Sequence, residues 1–503
     1  MKKIYFLIII GALFAFGSCR KSFFDVNNNP NSPTEVSVDK VLAAPITNVA
    51  AILSPTYYGR GTGTEEFAFW MGYWGESGSY APDIPAVSYT FPNSYYTDLW
   101  SHLYLSLSDL DYVEKAAHAD GHKFYEGIAK IMKTVAFHEL VDVYGNIPYT
   151  QALQVNTYPK PKYDDAVTIY GDLFSQLDNA IQLITASNQN EAPQANTDVV
   201  FHGAANSKQL WLKFANTIKL RMLLRLTEMS SKPAYFATQA AKIKADQATI
   251  GFLGIGEGAM VNPGFSSTSN IKQNPFYHTF FADAAGNPSS IYAQNRAGAY
   301  GVNFYQNTND PRLAQFYAPY SGNSYAGVDY GIQGLPNNYI SAAGPGLFKS
   351  SDQPLPLLTS FESLFLQAEA AYRGLITGDY KTLYKQAVTE SFDYFGIASQ
   401  APAYYSQTGN ATLQNQVNID LTPSPLATII TQKWASLNGL NILEPYADYR
   451  RLHLPADVPG SRYPNAGAIP YRLWYPASEY QTNEENVNAQ GTITLHTKIF
   501  WMP

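Results

Sequence analysis

The sequence predicts a mostly α-helical protein. Helices pair across short turns and frame long, aromatic-rich loops with a few small β-hairpins. Three observations predict this. Apolar residues recur three and four apart in several segments, the period of a helix buried along one face. Hydrophobic residues make up 46% of the 503 and charged residues 15%, too apolar for disorder and too weakly charged for a long solvated helix. Between the periodic segments, residues 57–97, 251–354, 398–424 and 455–495 are rich in Gly, Pro, Asn, Ser and Tyr. Helical and irregular stretches interleave to the end of the chain. One intertwined domain is therefore expected over residues 38–503, with loop-rich binding regions at 57–97 and 251–354.

The chain opens with Lys2 and Lys3, an apolar run from Ile4 to Phe16, small Gly17 and Ser18, and then Cys19. A positive start, a short apolar stretch and small residues before a cut describe a secretory signal. The run is shorter than the roughly 20 residues a membrane-spanning helix needs. The pattern resembles a bacterial lipoprotein signal, with residues 1–18 removed and Cys19 lipidated. Phe16 departs from the aliphatic residue usual at that place. Residues 19–37 then read as a polar, Pro/Asn-rich tether or strap. No later segment is long and apolar enough to cross a bilayer, so acyl chains on Cys19 are the expected anchor. Cys19 is the single cysteine, which excludes an internal disulfide and a metal site built on several thiolates. The net charge is −7, and loss of Lys2 and Lys3 with the leader leaves −9. Without a basic stripe the chain is a poor binder of nucleic acid.

The helices follow in order. Leu99, Leu103, Leu107 and Leu110 share a face behind Asp98. Phe124, Ile128, Ile131 and Val135 share the next. Val167, Tyr170, Phe174, Leu177, Ile181 and Ile184 make a third, with Asp164 and Asp165 placed to cap it. Residues 207–229 (SKQLWLKFANTIKLRMLLRLTEM) are apolar nearly all round and predict a buried helix, whose Arg221 and Arg225 need carboxylate partners. Phe361, Leu364, Phe365, Ala368 and Tyr372 face one way. Gly378 and Asp379 break the chain before a helix over 380–395. A last helix is expected over 425–444, ended by Pro445. Short strand-like pieces at 86–91 and 492–501 suggest hairpins or edge sheets.

The aromatic content is the functional signal. Residues 57–104 hold 14 aromatics in 48 positions, about twice the chain's own frequency of 14%. The dense part is Phe67, Phe69, Trp70, Tyr73, Trp74 and Tyr80, separated by Gly72, Gly75 and Gly78. Glycines let flat rings reach the surface, where they stack on the apolar face of a sugar. Residues 284–330 carry Tyr292, Tyr300, Tyr305, Tyr317, Tyr320, Tyr325 and Tyr330 with only four charges. Trp70, Tyr73, Trp74 and Tyr80 are the candidate stacking surfaces, and Arg296 and Asn303 the candidate hydroxyl partners. For any single ring, packing of a loop onto the helices is the competing reading.

Catalytic patterns fail when checked. His138-Glu139 begins a zinc H-E-x-x-H helix, but Asp142 stands where the second histidine belongs. Gly75-Glu76-Ser77-Gly78 is one residue short of a nucleophile elbow. Gly254, Gly256 and Gly258 lack the dinucleotide spacing. Asp25 opens a calcium-like loop, but Pro30 and Val36 replace its glycine and its bidentate glutamate. No catalytic residue, metal ligand or cofactor is expected from these motifs.

Several segments together resemble the SusD/RagB family of outer-membrane lipoproteins, in its SusD-like branch. They are DVNNNPNSPT at 25–34, LVDVYGNIPY at 140–149, WLKFANTIKLR at 211–221, DPRL at 310–313, LQAEA at 366–370, QKW at 432–434, YRR at 449–451, IPYRL at 469–473 and ENVN at 485–488. Each alone is weak, but they keep the family's order over nearly the whole mature chain. Residues 368–387 (AEAAYRGLITGDYKTLYKQA) also resemble a tetratricopeptide-type helix pair, although the fixed repeat period is not kept elsewhere. The resemblance implies a scaffold of such pairs and a non-enzymatic, surface-exposed lipoprotein of the outer membrane. It implies capture of a nutrient, most often a glycan, and delivery to a SusC-type TonB-dependent transporter. It implies no residue-level binding motif. Acidic residues often follow the cysteine in exported members, whereas Arg20 and Lys21 follow it here. A peptide ligand, a surface glycoside hydrolase and a pure protein scaffold remain as alternatives.

Overall fold

In the computed structural model the described residues are 36–55 and 63–503. Cys19, the leader and nearly all of the strap lie outside the described residues, as do Tyr57 and Tyr58.

The apolar faces read from the sequence become helices that pack pairwise. Helices α1 (Ala43–Leu53), α2 (Asp98–Asp120), α3 (Lys123–Tyr144) and α4 (Ala166–Ala186) form the first layer, with α3 packed on both α2 and α4. Gly121 joins α2 to α3 at φ +75°, a left-handed cap that favours glycine, and its N–H reaches the Ala117 and His118 carbonyls. Asp165 caps α4, its carboxylate accepting from the Thr168 N–H at 3.0 Å. The second layer contains α5 (Ser207–Arg225), α6 (Phe236–Thr249), α7 (Ser360–Tyr372), α8 (Tyr380–Tyr394), α9 (Pro425–Ser436) and α10 (Leu443–Leu452). The turn before α8 ends in Asp379, which accepts from the N–H groups of Lys381 and Thr382. One continuous apolar cluster runs from Val38 to Met502, so the layers share a core.

The cationic residues of α5 find their predicted partners, and the result is a buried ionic spine. Arg225 donates from Nε to Asp142 of α3 at 2.8 Å and from Nη2 to Glu444 of α10. Arg221 donates to Glu362 of α7. Lys433 of α9 lies 3.0 Å from Glu444 and 2.9 Å from Asp448. Arg451 grips Glu369 with two bonds, 2.6 and 2.8 Å, and Asp448 with a third at 2.8 Å. Burial alone would raise the Glu444 carboxyl, but Arg225, Lys433 and Arg221 outweigh it and hold it well below the usual range. These pairs cross five helices and fix their mutual register, because each charge must meet its own partner in a dry interior.

Three expectations are corrected here. Residues 86–91 form no strand. Pro85 stands in the first turn of a short helix, Ile84–Val87, where its fixed φ suits helix entry. Residues 492–501 form no strand either, because Thr497 N–H returns to the Thr494 carbonyl at 3.0 Å and turns the chain. The predicted helix over 425–444 also divides. It stops at Ser436, Gly439 turns at φ +68°, and Pro445 sits inside the first turn of α10, where no N–H is needed.

The strands are short. Among the described residues, β2 (Ile147–Pro148) pairs with β3 (Tyr163–Asp164), and β4 (Ala259–Val261) with β8 (Leu355–Leu358). The remaining sheet has the order β1 (Trp74–Glu76), β5 (Asn295–Ala297), β7 (Ala342–Ala343), β6 (Tyr317–Ala318), all antiparallel. It joins the two aromatic-rich regions.

Candidate functional site

Strand pairing builds the site. Trp74 lies opposite Ala297, Gly75 opposite Arg296 and Glu76 opposite Asn295. Past the strand, Ser77 N–H donates to the Gln294 carbonyl at 2.9 Å and Gly78 N–H to the Leu335 carbonyl at 3.1 Å. A Cβ on Gly78 would lie 1.6 Å from the Gly334 carbonyl oxygen, so this crossing needs glycine. The segment carrying Tyr80 is thereby held against the segment carrying Leu335, Asn337 and Tyr339. Tyr339 is 53% exposed and Leu335 60%. Tyr80 is half-buried.

Arg296 is tied to the second of these segments through Asn337. Its residue is 9% exposed, its Cζ is 6.0 Å from the Tyr292 ring, and its Nε donates to the Ala293 carbonyl at 3.1 Å and to Asn337 Oδ1 at 3.2 Å. Among the described residues no carboxylate forms an ion pair with it. Burial therefore lowers its basicity, and only the Tyr292 and Tyr80 phenols act the other way. A guanidinium with spare donors, in a loop cluster that also carries the exposed Tyr339, can take hydroxyl or carbonyl oxygens of a ligand.

The stacking residues read from the sequence divide. Trp70 and Tyr73 are fully buried and Trp74 is 2% exposed, so none offers a ring face to a ligand. The short helix Glu66–Trp70 puts Phe67 and Trp70 on one inward face, where Trp70 meets Phe67, Phe91 and Tyr446 at 5.0, 6.1 and 5.6 Å. Tyr73 stacks on Trp434. Trp74 meets Phe69 and Phe280 at 6.2 and 5.4 Å. The intervening glycines turn the chain inward instead of lifting rings outward. Tyr305, Tyr317 and Tyr330 are buried in the same way. Tyr80 and Arg296 remain at the loop cluster. Asn303 is exposed on the helix Ala299–Asn307, and no hydrogen bond among the described residues ties it to Arg296. Sequence reasoning missed Leu335, Asn337 and Tyr339. The only signal for them was their place in the 251–354 loop region, around the turn-forming Pro336.

The incomplete zinc motif has another use. His138 Nε2 lies 3.3 Å from Asp142 Oδ2, and Asp142 also accepts from Arg225, Trp501 and Tyr170. Burial would raise the Asp142 carboxyl, but His138, Arg225 and the Tyr170 hydroxyl hold it below the ordinary range. It is a structural hub. Among the described residues no group of three or more His, Cys, Asp or Glu side chains is placed to hold a metal ion. Among them, too, no helix is long and apolar enough to cross a membrane.

Comparison with known proteins places this architecture. The model of a SusD-like family, described as starch-binding and associating with the outer membrane, matches residues 30–476. No curated protein matches the chain. Among solved structures, a chitin-binding protein shares 24% identity over 92% of this chain and 99% of its own, with a TM-score of 0.71. A chitin-binding SusD homolog from Flavobacterium johnsoniae shares 22% identity over 92% and 98%, with a TM-score of 0.75. A SusD-like protein from Bacteroides thetaiotaomicron shares 24% identity over 92% and 98%, with a TM-score of 0.70. At such identities these structures establish the common fold. The family match spans most of the sequence, and with the paired helices and the loop-borne sheet it shows that the chain belongs to the SusD-like family.

Proposed function

We propose that this protein binds a glycan without transforming it and delivers it to a SusC-type TonB-dependent transporter, while held to the outer membrane by lipid on Cys19. The observation that carries the reading is Arg296: a largely buried guanidinium without a carboxylate partner among the described residues, hydrogen-bonded to Asn337 in the segment that also carries the exposed Leu335 and Tyr339. Family membership supports the nutrient-binding role and the outer-membrane association. The chitin-binding relatives support a glycan over a peptide. Tyr80, Tyr339 and Leu335 supply apolar faces, and Arg296 supplies donors to ring substituents. Asn303 stays a candidate only at the far end of an extended oligosaccharide.

The test is glycan-array and calorimetric binding by the purified protein, with chitin, starch and hemicellulose oligosaccharides and a peptide panel. Saturable glycan binding that Arg296→Ala and Tyr339→Ala each weaken supports the reading. Binding of peptides alone, or release of new reducing ends, overturns it. Co-purification with a TonB-dependent barrel checks the delivery step.

A further inference from the structure

A separate cavity has no lining residue in the aromatic loop regions 57–97 and 251–354. Helices α2, α3 and α4 and the segment 149–154 line a half-open hollow of about 310 Å³, at the lower end of the range for small-ligand pockets. One wall is a ladder of alternating charge. Lys115 lies 2.5 Å from Asp111, Asp111 lies 2.7 Å from Lys133, Lys133 lies 2.9 Å from Glu114, and Glu114 lies 2.6 Å from Lys130. Lys130 also donates to Gln176 Oε1 at 3.2 Å. Apolar side chains also line the hollow, among them Phe137, Leu153 and Leu173, and the half-buried Tyr149 ring rests edge-on against Phe137 at 4.8 Å, with its hydroxyl on Asp172 at 2.5 Å.

One lining residue is strained: Leu153 has φ +61°, a conformation that L side chains other than Asn, Asp and His rarely adopt. The Gln154 amide donates to the Thr150 carbonyl at 3.0 Å and holds this turn. A non-glycine residue kept at positive φ beside a cavity is a cost the fold sustains, and such costs gather at binding sites.

The charge pattern selects the ligand class. Every cation of the ladder already meets a carboxylate, so an anionic or cationic ligand would have to break a pair. Ammonium groups retain unused protons, however, and carboxylates retain unused lone pairs. Donors and acceptors side by side match a hydroxyl group, which gives and takes at once. Aromatic and aliphatic side chains in the same lining match the apolar face of a sugar ring. We propose that this cavity is a second binding pocket, for a single uncharged polyhydroxylated unit such as a neutral monosaccharide or the end of an oligosaccharide. The proposal is independent of the loop site.

The experiment is saturation-transfer NMR on the purified full chain with glucose, galactose, mannose, xylose and N-acetylglucosamine, and with glucuronate as an anionic contrast. At least one neutral sugar is expected to give saturable signals. Leu153→Trp, which adds bulk to the cavity lining, should lower them at least tenfold. Glu114→Gln, isosteric and away from the strained turn, should weaken them several-fold and serves if the tryptophan variant does not fold. Arg296→Ala and Tyr339→Ala should leave these signals in place while weakening the loop site. Absence of saturable signals from all five sugars overturns the proposal. So does binding that follows Arg296 and Tyr339 but ignores Glu114, or a preference for glucuronate.

Discussion

Tyr73 lies face to face with Trp434, centroids 4.8 Å apart and planes at 15°, and its hydroxyl donates to the Trp434 carbonyl at 2.7 Å. The indole returns the contact to the same loop, donating from Nε1 to the Met71 carbonyl at 3.0 Å. A ring that composition marks as a ligand platform therefore clamps a loop to helix α9. The clamp holds β1 in place, and β1 in turn positions Arg296.

Trp70 is expected to serve stability and not recognition. Trp70→Ala empties a site ringed by Phe67, Tyr89, Phe91, Tyr96 and Tyr446. It should cost about 3–5 kcal/mol in urea unfolding. Any folded fraction should bind glycan with the wild-type affinity, measured by calorimetry at low temperature.

Arg296→Ala is expected to do the reverse. Its loss removes a charged donor from the loop cluster, worth roughly 10- to 100-fold in glycan affinity. The unfolding midpoint should move little, because no buried carboxylate among the described residues is left unpaired.

Gly78→Ala tests how the two loops are held. The added methyl must displace the Gly334 backbone, which parts the Tyr80 segment from the Tyr339 segment. Affinity should fall by roughly tenfold, about 1.4 kcal/mol, with the ionic spine and the helical circular dichroism unchanged.

Glu444→Gln should be among the most damaging single changes. It leaves Arg225 and Lys433 buried with half their compensation. The expected loss is about 3–5 kcal/mol in denaturant unfolding.

Glu66 predicts a pH dependence. Burial pushes its carboxyl from the ordinary 4.5 up to about 8, against the opposing hydrogen bond from Tyr330. The folded protein then keeps a proton that the unfolded chain releases above 4.5. The stabilisation is complete below that pH, is lost as pH rises towards about 8, and changes no further beyond it. The total is on the order of a few kcal/mol. Thermal melts across this window should show the decline, and Glu66→Gln should reduce it, with the buried Glu65 beside it, also raised by burial, keeping the remainder.

The helical frame was legible because its period is a local property. Leu99 to Leu110, Phe124 to Val135 and Val167 to Ile184 each repeat within a few turns, and Asp165 and Asp379 signal their caps locally. The strand-like pieces at 86–91 and 492–501 failed because a short apolar run carries no period that separates strand from turn. The need of Arg221 and Arg225 for carboxylates could be read from an all-apolar helix. Which carboxylates answer, from Asp142 to Glu444, could not, because they lie between 83 and 219 residues away in the chain.

The sequence by itself determined the α-helical scaffold, the family and the two regions that meet around Arg296, since hydrophobic period and ordered segments are written along the chain. Only the tertiary structure decided which rings face water. Burial depends on what distant residues bring to each face, so Trp70, Tyr73 and Trp74 went to the core while Tyr339 and Leu335 stayed outside.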